Sequence, residues 1–288
     1  MPKSGNTTNK LSKQQVAIAV REYIEKRRMK EQRHVRTIKI INARPETFTP
    51  MPQRFLRDVP FCCSKRAQPV RILPDGTKIE IVASSAGRPT DRDMLLVVVV
   101  FFETFYGLDK KSLEEVAAGG ALAEISIPTS ELRWWHNGRI ADLKTAAIRL
   151  SSYTINYVPT CGDPRTHRYF AEFSIKNGHL VALLDRDMAK RTLATPWNID
   201  LVPFLGLRTG TGRALFLMLA PDHRRKYDLL ELAGRLGLPV ETATERRDSI
   251  TDIITGFEDI AAACRLKILP RPAQAGRSSR NSIEIEWT

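Results

Sequence analysis

The sequence predicts an α+β fold built as two tandem units, and three observations carry the prediction. An order of helix, tight turn, helix and β-prone runs occurs twice along the chain. Hydrophobic residues make up 42% and charged residues 27% of the composition, a balance that sustains folded cores. The 288 residues are enough for two ordinary domains. The predicted division is a basic N-terminal helical arm and linker over residues 1–60, a first unit over 61–190 and a second over 191–288.

Residues 1–9 are expected to be disordered. A helix is predicted over 11–33, capped by Ser12, with Val16, Ile18, Val20, Tyr23 and Ile24 as its apolar positions. It carries Lys26, Arg27, Arg28, Lys30 and Arg33, which reads as a solvated basic face or as an arm lying on phosphates. Pro45, Pro50, Pro52 and Pro60 make 43–63 an irregular linker. Residues 70–73 and 78–82 flank Pro74-Asp75-Gly76 and predict a hairpin. Thr90 or Asp91 caps the segment 92–106, which is apolar almost all round and so reads as a buried helix or a buried strand. A short helix over 111–118 follows and ends at Gly119-Gly120.

In the first unit, a strand over 125–128 leads into a short helix from Thr129 to Trp135, and His136-Asn137-Gly138 turns the chain. The helix 139–150 is expected to bury Ile140, Leu143, Ala147 and Leu150 at spacings of 3, 4 and 3. Two β-prone runs, 153–158 and 169–175, are expected to pair across a polar loop holding Arg165 and His167. The second unit repeats the order. An apolar helix ending near Leu219 starts after Thr209-Gly210-Thr211-Gly212. A helix over 226–236 buries Leu229, Leu232, Ala233 and Leu236, and Gly237 turns into a long helix over 245–264. Strands over 266–269 and 283–287 bracket a loop carrying Arg271, Arg277 and Arg280. Helix, turn, helix and hairpin is the order of a winged helix-turn-helix, and that architecture is expected in both units.

Lys plus Arg number 45 against 32 Asp plus Glu, a formal charge of +13 and a sequence pI near 9.8. Such a surplus attracts a polyanion, and double-stranded DNA is the partner this architecture suits. The candidate contacts in the first unit are Arg139, Lys144, Thr145 and Arg149. In the second they are Arg224, Arg225 and Lys226 ahead of the first helix of the pair, then Arg246, Arg247, Ser249 and Thr251 at the start of the long helix. Arg271, Arg277 and Arg280 complete the set as a basic wing. Arginine pairs bidentately with guanine, and Ser or Thr donates to phosphate or base. Glu258 and Asp259, at the far end of the long helix, would repel phosphate, so its N-terminal end is expected to enter the groove.

The longest apolar run, 94–102, is too short to span a membrane, the N-terminus has no apolar signal region, and Cys62, Cys63, Cys161 and Cys264 have neither disulfide nor zinc spacing. A cytoplasmic location with reduced thiols is expected, with no cofactor. Enzyme readings are weaker. Gly210-Thr211-Gly212 lacks the Lys-Ser/Thr of a phosphate loop. Asp91-Arg92-Asp93 and Asp185-Arg186-Asp187 could hold a metal as in a nuclease or primase, but helix capping and a turn explain them better. No His-x-His occurs among the five histidines, which argues against strand nicking. Trp134 and Trp135 read as packing groups.

Several segments bear a resemblance. Gly87-Arg88-Pro89-Thr90-Asp91-Arg92-Asp93-Met94-Leu95 heads the first unit. Ile127-Pro128-Thr129-Ser130-Glu131-Leu132-Arg133 and Leu143-Lys144-Thr145-Ala146-Ala147-Ile148-Arg149-Leu150 form its helix pair, and Ala214-Leu215-Phe216 with Leu230-Glu231-Leu232-Ala233 opens the second unit. From about residue 87 to 288 the chain resembles the plasmid replication initiator proteins, which carry two related winged-helix domains. The resemblance implies binding to repeated origin sites, a monomer–homodimer balance and recruitment of a host initiator and replicative helicase. A two-domain transcriptional regulator is the alternative from the residues themselves.

Overall fold

The computed structural model describes residues 48–52, 58–59, 61–107, 110–118, 124–136, 139–194, 196–219, 226–264, 266–269 and 282–287. The predicted basic helix 11–33 lies outside the described residues, as do Arg224, Arg225, Arg271, Arg277 and Arg280. Helices and strands are mixed throughout, as an α+β fold requires.

Strand β1 (Phe48–Pro52) lies within the stretch expected to be an irregular linker. Among the described residues its one strand partner is β9 (Pro196–Asp200), antiparallel. A strand paired on one side tolerates Pro50 and Pro52, whose missing N–H groups do not interrupt a central ladder. Met51 is fully buried, so this segment belongs to the core. The hairpin around Asp75-Gly76 forms as expected, from β2 (Val70–Ile72) and β3 (Lys78–Ile81).

The apolar segment after Pro89 is helix α1 (Asp91–Gly107). Thr90 and Asp93 cap it reciprocally. The Asp93 carboxylate accepts from the Thr90 amide (2.8 Å) and hydroxyl (3.0 Å), and the Asp93 amide donates to Thr90 Oγ1 (3.3 Å). Residues 94–102 are buried on every side, which explains the missing polar face. Helix α2 (Lys110–Ala118) follows.

Strand β4 (Glu124–Pro128), a 3₁₀ turn (Thr129–Leu132), helix α3 (Arg133–His136) and helix α4 (Ile140–Ser151) come next. Trp135 is buried. Its indole donates to the Arg92 carbonyl at 2.7 Å, and the Arg92 guanidinium lies 4.9 Å from the ring centroid, which locks α3 to α1.

The two β-prone runs expected to form one hairpin lie in different sheets. Residues 165–168, read as loop, are strand β6 (Arg165–Arg168), which closes on β5 (Thr154–Val158) in the sheet β2-β3-β5-β6. Strand β7 (Phe170–Lys176) instead pairs with β8 (His179–Leu184). The turn between them is Asn177-Gly178, both at positive φ (48° and 75°), as a two-residue hairpin turn demands. Strand β8 sits between β4 and β7. Helix α5 (Arg186–Ala194) begins where the Asp185 carboxylate accepts from the amides of Asp187 and Met188.

After β9, helix α6 (Leu201–Gly206) leads to helix α7 (Gly210–Leu219), which starts inside the glycine-rich stretch rather than after it. The predicted helix 226–236 is divided. Residues 226–228 are strand β10 (Lys226–Asp228), because the Asp228 carboxylate accepts from the Leu230 and Glu231 amides and so starts helix α8 (Leu229–Arg235) there. Helix α9 (Ala243–Ala263), strand β11 (Leu266–Ile268) and strand β12 (Ser282–Trp287) end the chain's described elements.

One order of elements therefore occurs twice. In the first unit it is α1, β4, α3, α4, β7, β8, with helix α2 inserted after α1, the pair β5 and β6 inserted after α4, and strand order β4-β8-β7. In the second it is α7, β10, α8, α9, β11, β12, with strand order β10-β12-β11. In both sheets the last strand is central.

A single apolar core runs through both units, and polar contacts cross the seam. The buried Arg71 guanidinium donates to the carbonyls of Val59 (2.8 Å), Phe61 (2.5 Å) and Arg235 (3.4 Å). The Gln68 amide donates to the Gly237 carbonyl (2.8 Å), and Asp91 at the head of α1 pairs with Arg213 on α7. Gly210 sits where an added Cβ would fall 2.0 Å from the Cys63 carbonyl oxygen. Among the described residues no helix is long and apolar enough to cross a membrane.

Candidate nucleic-acid interface

Helices α4 and α9 are the second members of the two helix pairs, and they carry most of the described candidate residues. Helix α4 buries Leu143, Ala146, Ala147 and Leu150. Ile140, expected inward, is 40% exposed because the buried stripe runs along 143, 146/147 and 150 and position 140 falls at its edge. Arg139, Lys144 and Thr145 are exposed. The Thr145 hydroxyl donates to the Ala141 carbonyl (3.0 Å), leaving its lone pairs outward.

Arg149 is directed inward. Its Nε and one terminal nitrogen each donate to the Asp93 carboxylate at 2.7 Å, and Asp93 is fully buried. The hydrogen bonds to Asp93 raise the guanidinium's pKa further, so the charge is permanent. Arg149 is thus a strut between α4 and α1 and leaves the candidate set.

Helix α9 opens with a complete capping box. The Thr242 hydroxyl accepts from the Glu245 amide (3.2 Å), and the Glu245 carboxylate accepts from the Thr242 amide (2.8 Å), which lowers that carboxyl's pKa. Arg247 is exposed over 79% of its side chain, with Nε 3.7 Å from Asp248. Arg246 is exposed, but its guanidinium donates to the carbonyls of Val240 and Glu241 at 2.9 Å and so braces the turn before the helix. The exposed Thr251 donates to the Arg247 carbonyl (2.9 Å). Ser249 is fully buried and donates to the Pro239 carbonyl (2.7 Å), so it faces the core and not a partner. Lys226 is exposed at the start of β10, 3.4 Å from Glu284.

Several acidic residues near these helices have partners within the fold, while Glu258 is exposed near the end of α9. Asp259, expected on the outer face, is buried. One of its oxygens accepts from the amides of Arg208 (2.9 Å) and Thr209 (2.8 Å) and from the Thr209 hydroxyl (2.9 Å). That carboxylate occupies the N-terminus of α7, where a phosphate loop would hold its anion. Asp248 and Asp252 pair with Arg66 at 3.3 and 2.5 Å. Burial raises the pKa of Asp91 against the pull of Arg213, and burial lowers that of Arg213. Asp91, Asp93 and Asp185 thus act as ion-pair partners and caps, and no group of three or more His, Cys, Asp or Glu suited to a metal occurs among the described residues. Burial pushes the thiols of Cys63 and Cys264 up to about 12, so neither is a thiolate near neutrality.

Lys176 and His179 flank the Asn177-Gly178 turn as the last residue of β7 and the first of β8, and in the sequence of the second unit Arg271, Arg277 and Arg280 lie between the corresponding strands. Sequence reasoning missed both, although Asn177-Gly178 between two apolar runs is a strong hairpin signal. No described protein family matches this chain, and no curated protein does.

Proposed function

We propose that the protein binds double-stranded DNA sequence-specifically through two winged helix-turn-helix units, as a plasmid replication initiator on repeated origin sites. The observation that carries this reading is the doubled order of elements, each with its last strand central and its second paired helix carrying exposed cations. In such modules the second helix enters the major groove, about 12 Å wide, which admits an α-helix. Arg247 with Arg246 heads α9, and Arg139 with Lys144 heads α4. The +13 charge supplies the sequence-independent attraction to phosphate. The chain's resemblance to initiators supports origin repeats as the target, and homodimerisation and recruitment of a host initiator and helicase belong to the same reading.

Fluorescence anisotropy on labelled duplexes tests it. Affinity is expected to fall steeply and log-linearly with salt. Arg247→Ala is expected to cost about 1–3 kcal/mol on the preferred site if Arg247 reads a base, or to reduce the salt slope by about one if it holds a phosphate. A protein indifferent to duplex at moderate salt would sink the proposal. A footprint over direct repeats beside the gene supports initiation, whereas a single palindrome reassigns the protein as a transcriptional regulator.

A further inference from the structure

Helix α4 carries an apolar row among its exposed residues. Ile140 is 40% exposed and Ile148 is 48% exposed, with Lys144 between them at the i+4 position of the same row. The other exposed large apolar side chains among the described residues, Val70, Ile72 and Val158, belong to β2 and β5 or flank them on one sheet. On α9 the corresponding surface holds Arg246, Arg247 and Thr251. The two helices therefore offer different chemistry.

We propose that α4 reads thymine methyl groups in the major groove, with Ile140 and Ile148 making the contacts and Lys144 holding phosphate between them. This rests on the duplex-DNA reading above. Isoleucine has no donor or acceptor, so it recognises a base only through apolar contact. The thymine C5-methyl is the one apolar group that base edges present in that groove. The exposed Arg139 and Lys144 share the row or flank it, which favours a polyanion over an apolar protein partner. Arg149, the residue of α4 best able to select guanine near Ile148, is turned away onto Asp93. Eight residues of helix at about 1.5 Å each place the isoleucines roughly 12 Å apart, or about three to four base steps at 3.4 Å.

The test begins with selection of a randomised duplex pool by the full chain at moderate salt. The recovered duplex is then resynthesised with deoxyuridine for thymidine, which removes only the methyl groups. Binding by the unaltered protein is expected to weaken roughly fourfold for each contacted methyl. Ile148→Ala is expected to bind the thymidine duplex more weakly and to lose the penalty at one thymine, a double-mutant signature that general destabilisation does not give. Full affinity on the deoxyuridine duplex overturns the inference and leaves the duplex reading standing. Recovery of no duplex removes both. Unchanged DNA binding by Ile148→Ala with a changed sedimentation coefficient assigns the row to contact between copies, and that also overturns it.

Discussion

The two units fasten their second paired helix to their opening helix by opposite means. In the first, the acid is on the opening helix. Buried Asp93 of α1 grips Arg149 of α4. In the second, the acid is on the long helix, and Asp259 of α9 grips the backbone amides at the head of α7. The first arrangement consumes a cation. The second consumes none, because helix-end amides supply the positive end. The difference teaches how one order of elements yields two surfaces. Helix α9 keeps Arg247 outward, while α4 keeps Lys144 and two isoleucines.

Arg149→Met breaks the comparison most directly. It strands the Asp93 carboxylate, fully buried and also hydrogen-bonded to Thr90, without its Arg149 counter-charge. Removing one partner of a buried pair costs about 3–5 kcal/mol, and urea denaturation is expected to show a loss of that order. Asp259→Asn keeps an oxygen acceptor over the α7 amides, and its loss is expected to be smaller, about 1–2 kcal/mol. Equal losses would mean that the two fastenings work alike.

Next in size is Gly210→Ala at the seam. Its Cβ would meet the Cys63 carbonyl at 2.0 Å and the Asp91 side chain at 2.8 Å, so the two units must part slightly. Overpacking of this kind costs about 1–3 kcal/mol. If the units are rigidly joined, the variant is also expected to lose discrimination against a half-turn insertion within its DNA site. A melting temperature unchanged by calorimetry would show that the seam yields freely.

Much of this organisation was legible beforehand. The periodicity of α9 and the apolar face of α8 survive in the structure, and so does the Asp75-Gly76 hairpin. The sheets were less legible. The run 153–158 is equally β-prone whether it pairs with 165–168 or with 169–175, and only contacts distant in sequence decide. The fate of Arg149 was hidden for the same reason, since its partner lies 56 residues earlier. Ser249 was a different matter. It lies on the row with Ile253, Gly256 and Ile260, all buried, so helical spacing already turned it inward.

Smaller effects arise at the helix starts. Thr242→Ala removes half of the α9 capping box and is expected to cost about 1 kcal/mol. Glu245 adds a pH signature. Its hydrogen bond from the Thr242 amide lowers its pKa, so its contribution is present above the unfolded carboxyl value and is lost as pH falls through the folded one. Stability profiles of the wild type and Glu245→Gln are expected to converge on acidification, because glutamine keeps the bond without titrating. Parallel profiles would show that Glu245 has no part in the pH dependence.

Helix α4 has no such box. Its N-cap is Arg139, extended at φ −90° and ψ 90°, with no side-chain capping bond. An aspartate there can accept from the first-turn amides and favours the positive end of the helix, so Arg139→Asp is expected to stabilise the fold by about 0.5–1 kcal/mol. The same change replaces an exposed cation with an anion where the proposed reading puts phosphate. Duplex affinity is therefore expected to fall, with a shallower salt slope, while the melting temperature rises. An uncapped arginine at a helix start is poor for folding, and opposite shifts in the two measurements would mark it as retained for binding. A variant that gains stability and keeps its affinity would place Arg139 outside the interface and leave α9 as the stronger contact.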